Sequence, residues 1–345
     1  MTTAEDRTHG GLLDEARLVG WIDSRLPGQG EPLAISVITG GSSNLLFKLE
    51  RAGRSYVLRR PPRARYDPTS HDMQREVRLL EALGHTDIPH PRLQLFCSDA
   101  DVIGVPFLVM DHVDGFSPIG VLPEPFQGDL GHRRAIGFGM VEALSTLARV
   151  DWKAIGLEGF GKPEGFLKRQ VDRWMGQLAR YQTRDIPHLD KLANWLRDNC
   201  PVQVATGLMH GDYSFPNVMF APDLPVRMAA IVDWESCTIG DPLLDLGHLL
   251  AGWCDPGEDH TYLRGADWGG MPTRRELAAR YAELTGLSVD AVEYYRALAL
   301  FKLAIILEGA YSRIIKGQND YAPHRTLEQR VPMFIEQAWG FARAV

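Results

Sequence analysis

Apolar and polar positions alternate through three short runs near the start of the chain, Leu33–Thr39, Asn44–Glu50 and Ser55–Arg60, a period that predicts strands. GGSS joins the first two runs and RAGR the last two, both turn-forming, and Pro61-Pro62 ends the third because proline cannot donate to a ladder. Ahead of them, residues 13–26 (LDEARLVGWIDSRL) carry the spacing of an amphipathic helix. Behind them, the spacing predicts a helix from about His71 to Leu83 and one or two strands within Val102–Met110. After Asp114-Gly115 the period becomes helical over 129–150, 165–183 and 187–198. A loop-and-hairpin region at 205–241 follows, then helices to the end. Strands grouped before helices, without an alternating βαβ order, predict an α+β chain: a small antiparallel sheet joined by one extended segment to a larger, mainly helical part.

Length and composition narrow the function classes. A chain of 345 residues has room for two lobes, each roughly 100–200 residues. Its 45% apolar and 23% charged residues are ordinary for a soluble globular protein. A net charge of −7 argues against non-specific binding to nucleic acid or anionic membrane, both of which need a basic surface. Cys97, Cys200, Cys237 and Cys254 show no CxxC spacing, which suits a reducing cytosol better than a zinc site or a disulfide framework. The polar start MTTAEDRTHG does not read as a signal peptide. The most apolar run, Ala297–Leu307, is interrupted by Lys302 and is too short for a span, so a buried core helix and a cytoplasmic protein are expected.

The stretch that carries chemistry is Leu208–Glu235, LMHGDYSFPNVMFAPDLPVRMAAIVDWE. Asn217 stands five residues after Asp212, and Asp233 sixteen residues further on. The apolar runs VMF and MAAIV flank the turn-rich APDLPV and predict an antiparallel hairpin, which would set Asn217 beside Asp233. An amide oxygen and a carboxylate oxygen converging there suit Mg²⁺, which takes one or two protein oxygens together with waters and substrate phosphates. Asp212 is then left to accept a proton from an attacking hydroxyl.

This layout resembles the H-R-D-x-x-x-x-N and D-F-G elements of protein kinases, with Asp233-Trp234-Glu235 in the latter place. HGD-x-x-x-x-N with a following I-V-D-W-E looks like the aminoglycoside phosphotransferase-like small-molecule kinases. The run D-W-E-x₄-G-D-P-L-x-D-L-G is similar to the kinase-like domain fused to some acyl-CoA dehydrogenases. The resemblance covers about residues 30–250. It implies a protein kinase-like fold, with a nucleotide-binding lobe over 1–113, a hinge at 107–115 and a catalytic and acceptor-binding lobe over 114–345.

The parts such a kinase needs occur in order. Gly40, Gly41, Ser42 and Ser43 fit a phosphate-covering turn between the first two strands, although G-x-G-x-x-G is lacking. Val57 and Arg59 share one face of the third strand, so Val57 is expected over adenine and Arg59 at the phosphates. The family commonly has lysine at this position, and arginine keeps the charge with a planar fork. Met73, Val77, Leu80 and Leu83 form a helical stripe with Glu76 at its edge, which offers Arg59 a carboxylate partner. Arg60, on the opposite strand face, reads as a solvated charge. In FLVMDHVDG the family's hinge implies backbone contacts to adenine from Asp111 and Val113. Gly240-Asp241-Pro242 reads as a capped helix start. In the family an aspartate at the position of Asp245 steadies the catalytic loop. His210 reads as an orienting core residue, and Glu235 as a possible aid to the metal.

The activity expected is transfer of the ATP γ-phosphoryl group, with Mg²⁺, to a hydroxyl of a small organic acceptor. Aminoglycosides are polycations, and DPGED (Asp255–Asp259) is acidic, but the final helix is apolar. A pocket lined by Trp253, Trp268, Phe334 and Trp339 would favour a hydrophobic hydroxylated metabolite, and the dehydrogenase-fused domain points to a hydroxyacyl thioester. An aminoglycoside kinase, a regulatory nucleotide-binding pseudokinase and a metal-dependent hydrolase are the alternatives. Oligomeric state is not legible in the sequence.

Overall fold

The computed structural model describes residues 13–38, 44–61, 73–258, 265–317 and 324–344. The chain divides into two compact units, the first made of residues 1–115, 155–157 and 229–235, the second of 116–154, 158–228 and 236–345.

In the first unit, β1 (Ala34–Ile38), β2 (Leu45–Arg51), β3 (Arg54–Arg60), β4 (Leu93–Cys97) and β5 (Phe107–Asp111) form an antiparallel sheet in the order β1-β2-β3-β5-β4. Alternation decides its two faces. Phe47 lies opposite Leu58, Leu49 opposite Tyr56, and Leu58 opposite Val109. These residues are buried against Leu18 and Ile22 of α1 (Glu15–Ile22) and against Val102 and Ile103 of α3 (Ala100–Ile103). Each such side chain contributes about 1.5–3 kcal/mol by leaving water. The other face of β3 carries Val57 and Arg59, opposite Lys48 and Leu46 of β2 and opposite Met110 and Leu108 of β5.

Two sequence expectations change here. Val102–Met110 is a strand only from Phe107. Asp99 accepts the Asp101 N–H and Gly104 takes φ +87°, so these two residues cap a single helical turn at 100–103. Arg60 is no solvated charge: it is 2% exposed, with Nε donating to the Pro61 carbonyl at 3.2 Å and Nη1 to that of Ile103 at 3.5 Å. The guanidinium thus serves the carbonyl of Pro61, just after its own strand, and that of Ile103, one of those the α3 terminus leaves unpaired. α2 (Met73–Leu83) turns Met73, Val77, Leu80 and Leu83 inward as its spacing predicts, and Glu76 is buried with them.

The second unit is mainly helical: α4 (Leu130–Ala148), α5 (Gln170–Leu178), α6 (Leu189–Asp198), α7 (Leu243–Ala251), α8 (Arg274–Thr285), α9 (Val292–Ile315) and α10 (His324–Ala342). α9 is the central element, packed by α7 and α10, with Leu298, Phe301 and Ile305 fully buried. The apolar run 297–307 is therefore a core helix, and no helix among the described residues is long and apolar enough to cross a membrane. Between α6 and α7, β6 (Gly207–Met209) pairs with β9 (Thr238–Gly240). β7 (Val218–Phe220) is followed by the expected turn, closed by the Ala221 N–H donating to the Arg227 carbonyl at 3.0 Å, and the chain then runs on as β8 (Met228–Ile231), of which all but Met228 belongs to the first unit.

Candidate active site

In the second unit, β6 ends at Met209 and the chain makes a tight loop, His210-Gly211-Asp212, before a 3₁₀ turn at Phe215–Asn217 opens β7. Gly211 is required: its φ is +83°, and a Cβ there would sit 2.4 Å from the Ser236 carbonyl oxygen. The main chain of the loop is held from α7. Asp245, 1% exposed, accepts the N–H of His210 at 2.6 Å and of Gly211 at 2.8 Å, which is the role the resemblance implies. Burial pushes the Asp245 carboxyl above its usual range, against the opposing pull of His210 and the two N–H groups. Lys302 of α9 donates Nζ to the Gly211 carbonyl and faces the Trp174 ring, 5.7 Å from its centroid. Tyr213, fully buried, donates its hydroxyl to the Met140 carbonyl at 2.8 Å and fixes the next step of the chain.

Asp212 stands on this loop with 45% of its side chain exposed. His248 Nε2 lies 3.2 Å from Oδ1. Asn217 Nδ2 donates to Oδ2 at 2.9 Å and to the Asp212 carbonyl at 2.9 Å. His210 is fully buried, and its Nδ1 accepts the Asp212 N–H at 3.3 Å, as an orienting residue would. Burial raises the Asp212 pKa, but the His248 hydrogen bond and charge, then Lys302 and His210, outweigh it and lower the pKa to about 2. Asp212 is thus an anion throughout the physiological range, with a face open to solvent. Because Asn217 turns its NH₂ toward Asp212, its amide oxygen is the atom left to accept a cation.

In the first unit, Arg59 gathers three carboxylates. Its Nε lies 3.2 Å from Glu76 Oε2, and its Nη2 donates to Asp233 Oδ1 at 2.8 Å and to Glu235 Oε2 at 3.1 Å. Arg59 and Glu76 are both about one-twentieth exposed, so the pair expected from strand and helix faces is formed and buried. Burial lowers the Arg59 pKa, but Glu76, Asp233 and Glu235 overcome that and hold the guanidinium above its ordinary value. Burial raises the Glu76 pKa, opposed by Arg59. Asn44 Nδ2 donates to Glu235 Oε2 at 2.8 Å, which joins the start of β2 to the same cluster. Asp233 adopts φ +63°, a left-handed backbone rare for a residue with a Cβ.

Gly40, Gly41, Ser42 and Ser43 lie outside the described residues. Val57 sits opposite Met110 on the Arg59 face of the sheet. The Asp111 N–H is occupied, donating to the Arg92 carbonyl at 2.9 Å, and Val113 follows in the irregular segment after β5. Asp241 caps α7, accepting the Leu243 N–H at 3.1 Å, and its other oxygen accepts the Tyr295 hydroxyl at 2.8 Å. The four-residue apolar pocket is not a unit. Trp253 and Trp268 cluster with Phe215, but Phe334 is fully buried and Trp339 lies under Lys191 of α6. His248 and Lys302 were not read as site residues from the sequence, whereas Asn44 closes the turn expected to cover the phosphates. His248 had a signal: it stands three residues after Asp245 and so shares its helical face.

A sheet-based unit with a buried cation–carboxylate pair and a helical unit with an aspartate loop define a kinase-like fold of the small-molecule phosphotransferase class. The phosphotransferase enzyme family model matches residues 34–280, and the chain belongs to that family. A candidate aminoglycoside phosphotransferase from Ralstonia eutropha JMP134 is 32% identical, with a TM-score of 0.79 over 96% of this chain and 99% of that one. Choline kinase from Cryptosporidium parvum Iowa II shares the fold at a TM-score of 0.66 and 12% identity, over 96% of this chain and 97% of that one. Acyl-CoA dehydrogenase family member 11 of Rattus norvegicus is 34% identical over 321 residues, 89% of this chain. The chain spans about 40% of the length of that relative.

Proposed function

We propose that the chain transfers the γ-phosphoryl group of ATP to a hydroxyl of a small organic acceptor, with Asp212 as the catalytic base. The observation that carries this reading is the state of Asp212: anionic, open on one side, and bonded at each carboxylate oxygen by a side chain of its own unit. In the transfer the acceptor oxygen bonds to the γ-phosphorus as the bond to the ADP oxygen breaks, and the hydroxyl proton passes to Asp212. A carboxylate held near pKa 2 is a weak base. Its work is to orient the hydroxyl and take the proton late, which fits a loose phosphoryl transition state where positioning and charge dominate.

The donor chemistry fits Mg²⁺: the Asn217 amide oxygen and the Asp233 carboxylate are hard oxygen donors of the kind that ion takes alongside phosphates. When bound, the ion would neutralise developing charge on the phosphates. Arg59, oriented by Glu76, would meet the same phosphates, with Gly40–Ser43 covering them and Val57 against adenine. Residues 1–113 would form the nucleotide lobe, the backbone of Asp111 and Val113 the hinge, and 114–345 the catalytic and acceptor lobe.

Similarity to the dehydrogenase family member favours a hydroxyacyl thioester or another hydrophobic hydroxylated metabolite over an aminoglycoside. The test is phosphorylation by Mg·ATP of a panel of hydroxyacyl-CoAs, lipophilic alcohols and aminoglycosides, read by mass spectrometry of the acceptor. Phosphorylated hydroxyacyl-CoA is the expected product, whereas phosphorylation confined to aminoglycosides would overturn the acceptor assignment. Tight ATP binding with no product on any acceptor would favour a pseudokinase.

A further inference from the structure

We propose that His248 is a positioning residue for Asp212, fixing the rotation of its carboxylate so that the open oxygen lone pair faces the acceptor hydroxyl. The inference rests on the reading of Asp212 as the catalytic base. A carboxylate bonded at one oxygen can still turn about its terminal torsion, whose energy profile is broad. Asn217 holds the Oδ2 side and, through its second bond to the Asp212 carbonyl, ties that edge to the main chain. His248 Nε2, 3.2 Å from Oδ1, holds the opposite edge, and two donors on two oxygens stop the rotation.

The position of His248 explains why it can do this. It lies one turn beyond Asp245 on α7, and Asp245 bonds the N–H groups of His210 and Gly211. One helical face therefore clamps both the main chain of the loop and the side chain that the loop presents. The His248 side chain is 6% exposed, so it does not swing out to solvent while the Asp212 carboxylate does meet solvent. An aliphatic residue there would leave Asp212 Oδ1 without the donor that His248 supplies.

The test compares Asp212→Asn, His248→Gln, His248→Asn and His248→Leu in steady-state consumption of Mg·ATP with water as acceptor. ATP affinity and melting temperature are measured alongside. Glutamine carries an amide N–H at the reach of Nε2, and asparagine falls one methylene short. The expected result is near-native turnover for His248→Gln and a fall of about 10²-fold in kcat for His248→Asn and His248→Leu, with KM for ATP unchanged. A merely structural histidine would not distinguish the glutamine and asparagine variants in kcat at constant ATP affinity. If His248→Leu fails to fold, the glutamine–asparagine pair decides. Turnover by His248→Asn equal to wild type, with Asp212→Asn inactive, would overturn the role of His248 and leave Asp212 standing. An active Asp212→Asn would overturn both.

Discussion

Arg59 Nη2 donates to Asp233 Oδ1 at 2.8 Å, so the cation assigned to the phosphates and a carboxylate assigned to the metal are paired with each other. Nucleotide and metal would have to exchange that pair for phosphate and ion contacts. The buried Glu76 keeps Arg59 in place during the exchange, because it engages Nε rather than Nη2.

Replacing Arg59 separates charge from geometry. Arg59→Ala removes the cation that Glu76, Asp233 and Glu235 share, and a large fall in both stability and ATP affinity is expected. Breaking an isolated buried pair costs about 3–5 kcal/mol, and three carboxylates share this cation. Arg59→Lys restores one charge but a single point of contact, so an intermediate loss is expected. Chemical denaturation and ATP titration of the two variants check this, and equal affinity for wild type and Arg59→Ala would contradict it.

Gly211→Ala places a Cβ 2.4 Å from the Ser236 carbonyl on a backbone at φ +83°. The left-handed conformation alone costs about 1–3 kcal/mol for a residue held in a sparsely populated region, and the clash adds to it. A lower melting temperature and loss of turnover together are expected. Gly286→Ala, at a similar φ of +72° but with open space around the Cβ, is expected to cost stability without activity.

Asp245→Asn keeps the shape of the buried side chain but replaces one acceptor oxygen by an NH₂ group facing an N–H donor. The His210 or Gly211 amide then loses its partner, a charge-assisted bond of about 1.5–3 kcal/mol. Amide hydrogen exchange at residues 210 and 211 is expected to accelerate, with kcat falling more than ATP affinity. Unchanged protection at both amides would contradict the assignment of Asp245 as the anchor of this loop.

Acidification isolates Asp212. Its folded pKa is about 2 against an unfolded value of 3.8, so the unfolded state binds more protons between those values. Its contribution to stability is complete above roughly pH 4 and is lost as pH falls through about 2. Melting temperatures of wild type and Asp212→Asn are expected to shift in the variant's favour across that window. The size of the shift is modest, because the open face of Asp212 is screened by solvent. A difference between the two proteins that stays constant from pH 5 to pH 2.5 (both approximate) would contradict the low pKa.

Much of this site was legible where chain order and periodicity decide geometry. Val57 and Arg59 share a face because strands alternate, and Glu76 faces them because it borders a helical apolar stripe. Asp212 and Asn217 are joined through a single loop. What was not legible depends on long-range meetings. Lys302, ninety-one residues after Gly211, reads as an interruption in an apolar run until α9 is placed beneath the loop. Arg60 alternates correctly but is captured by the carbonyl of Pro61 beside it and by that of Ile103, at the end of a helical turn that its own strand does not announce. β4 is short and follows Pro89 and Pro91, so its ladder with β5 shows only in three dimensions. The mistaken aromatic pocket failed for a similar reason: a large apolar side chain on a helix is as able to fill the core as to line a cavity, and Phe334 fills the core.

The most direct test of the central claim is the rate of acceptor phosphorylation by Mg·ATP in Asp212→Asn against wild type, with ATP affinity measured on both. Loss of about 10²–10⁴-fold in kcat with ATP affinity retained is expected of a residue that orients and deprotonates the acceptor. Full turnover in the variant would remove Asp212 from the chemistry and with it this account of the site.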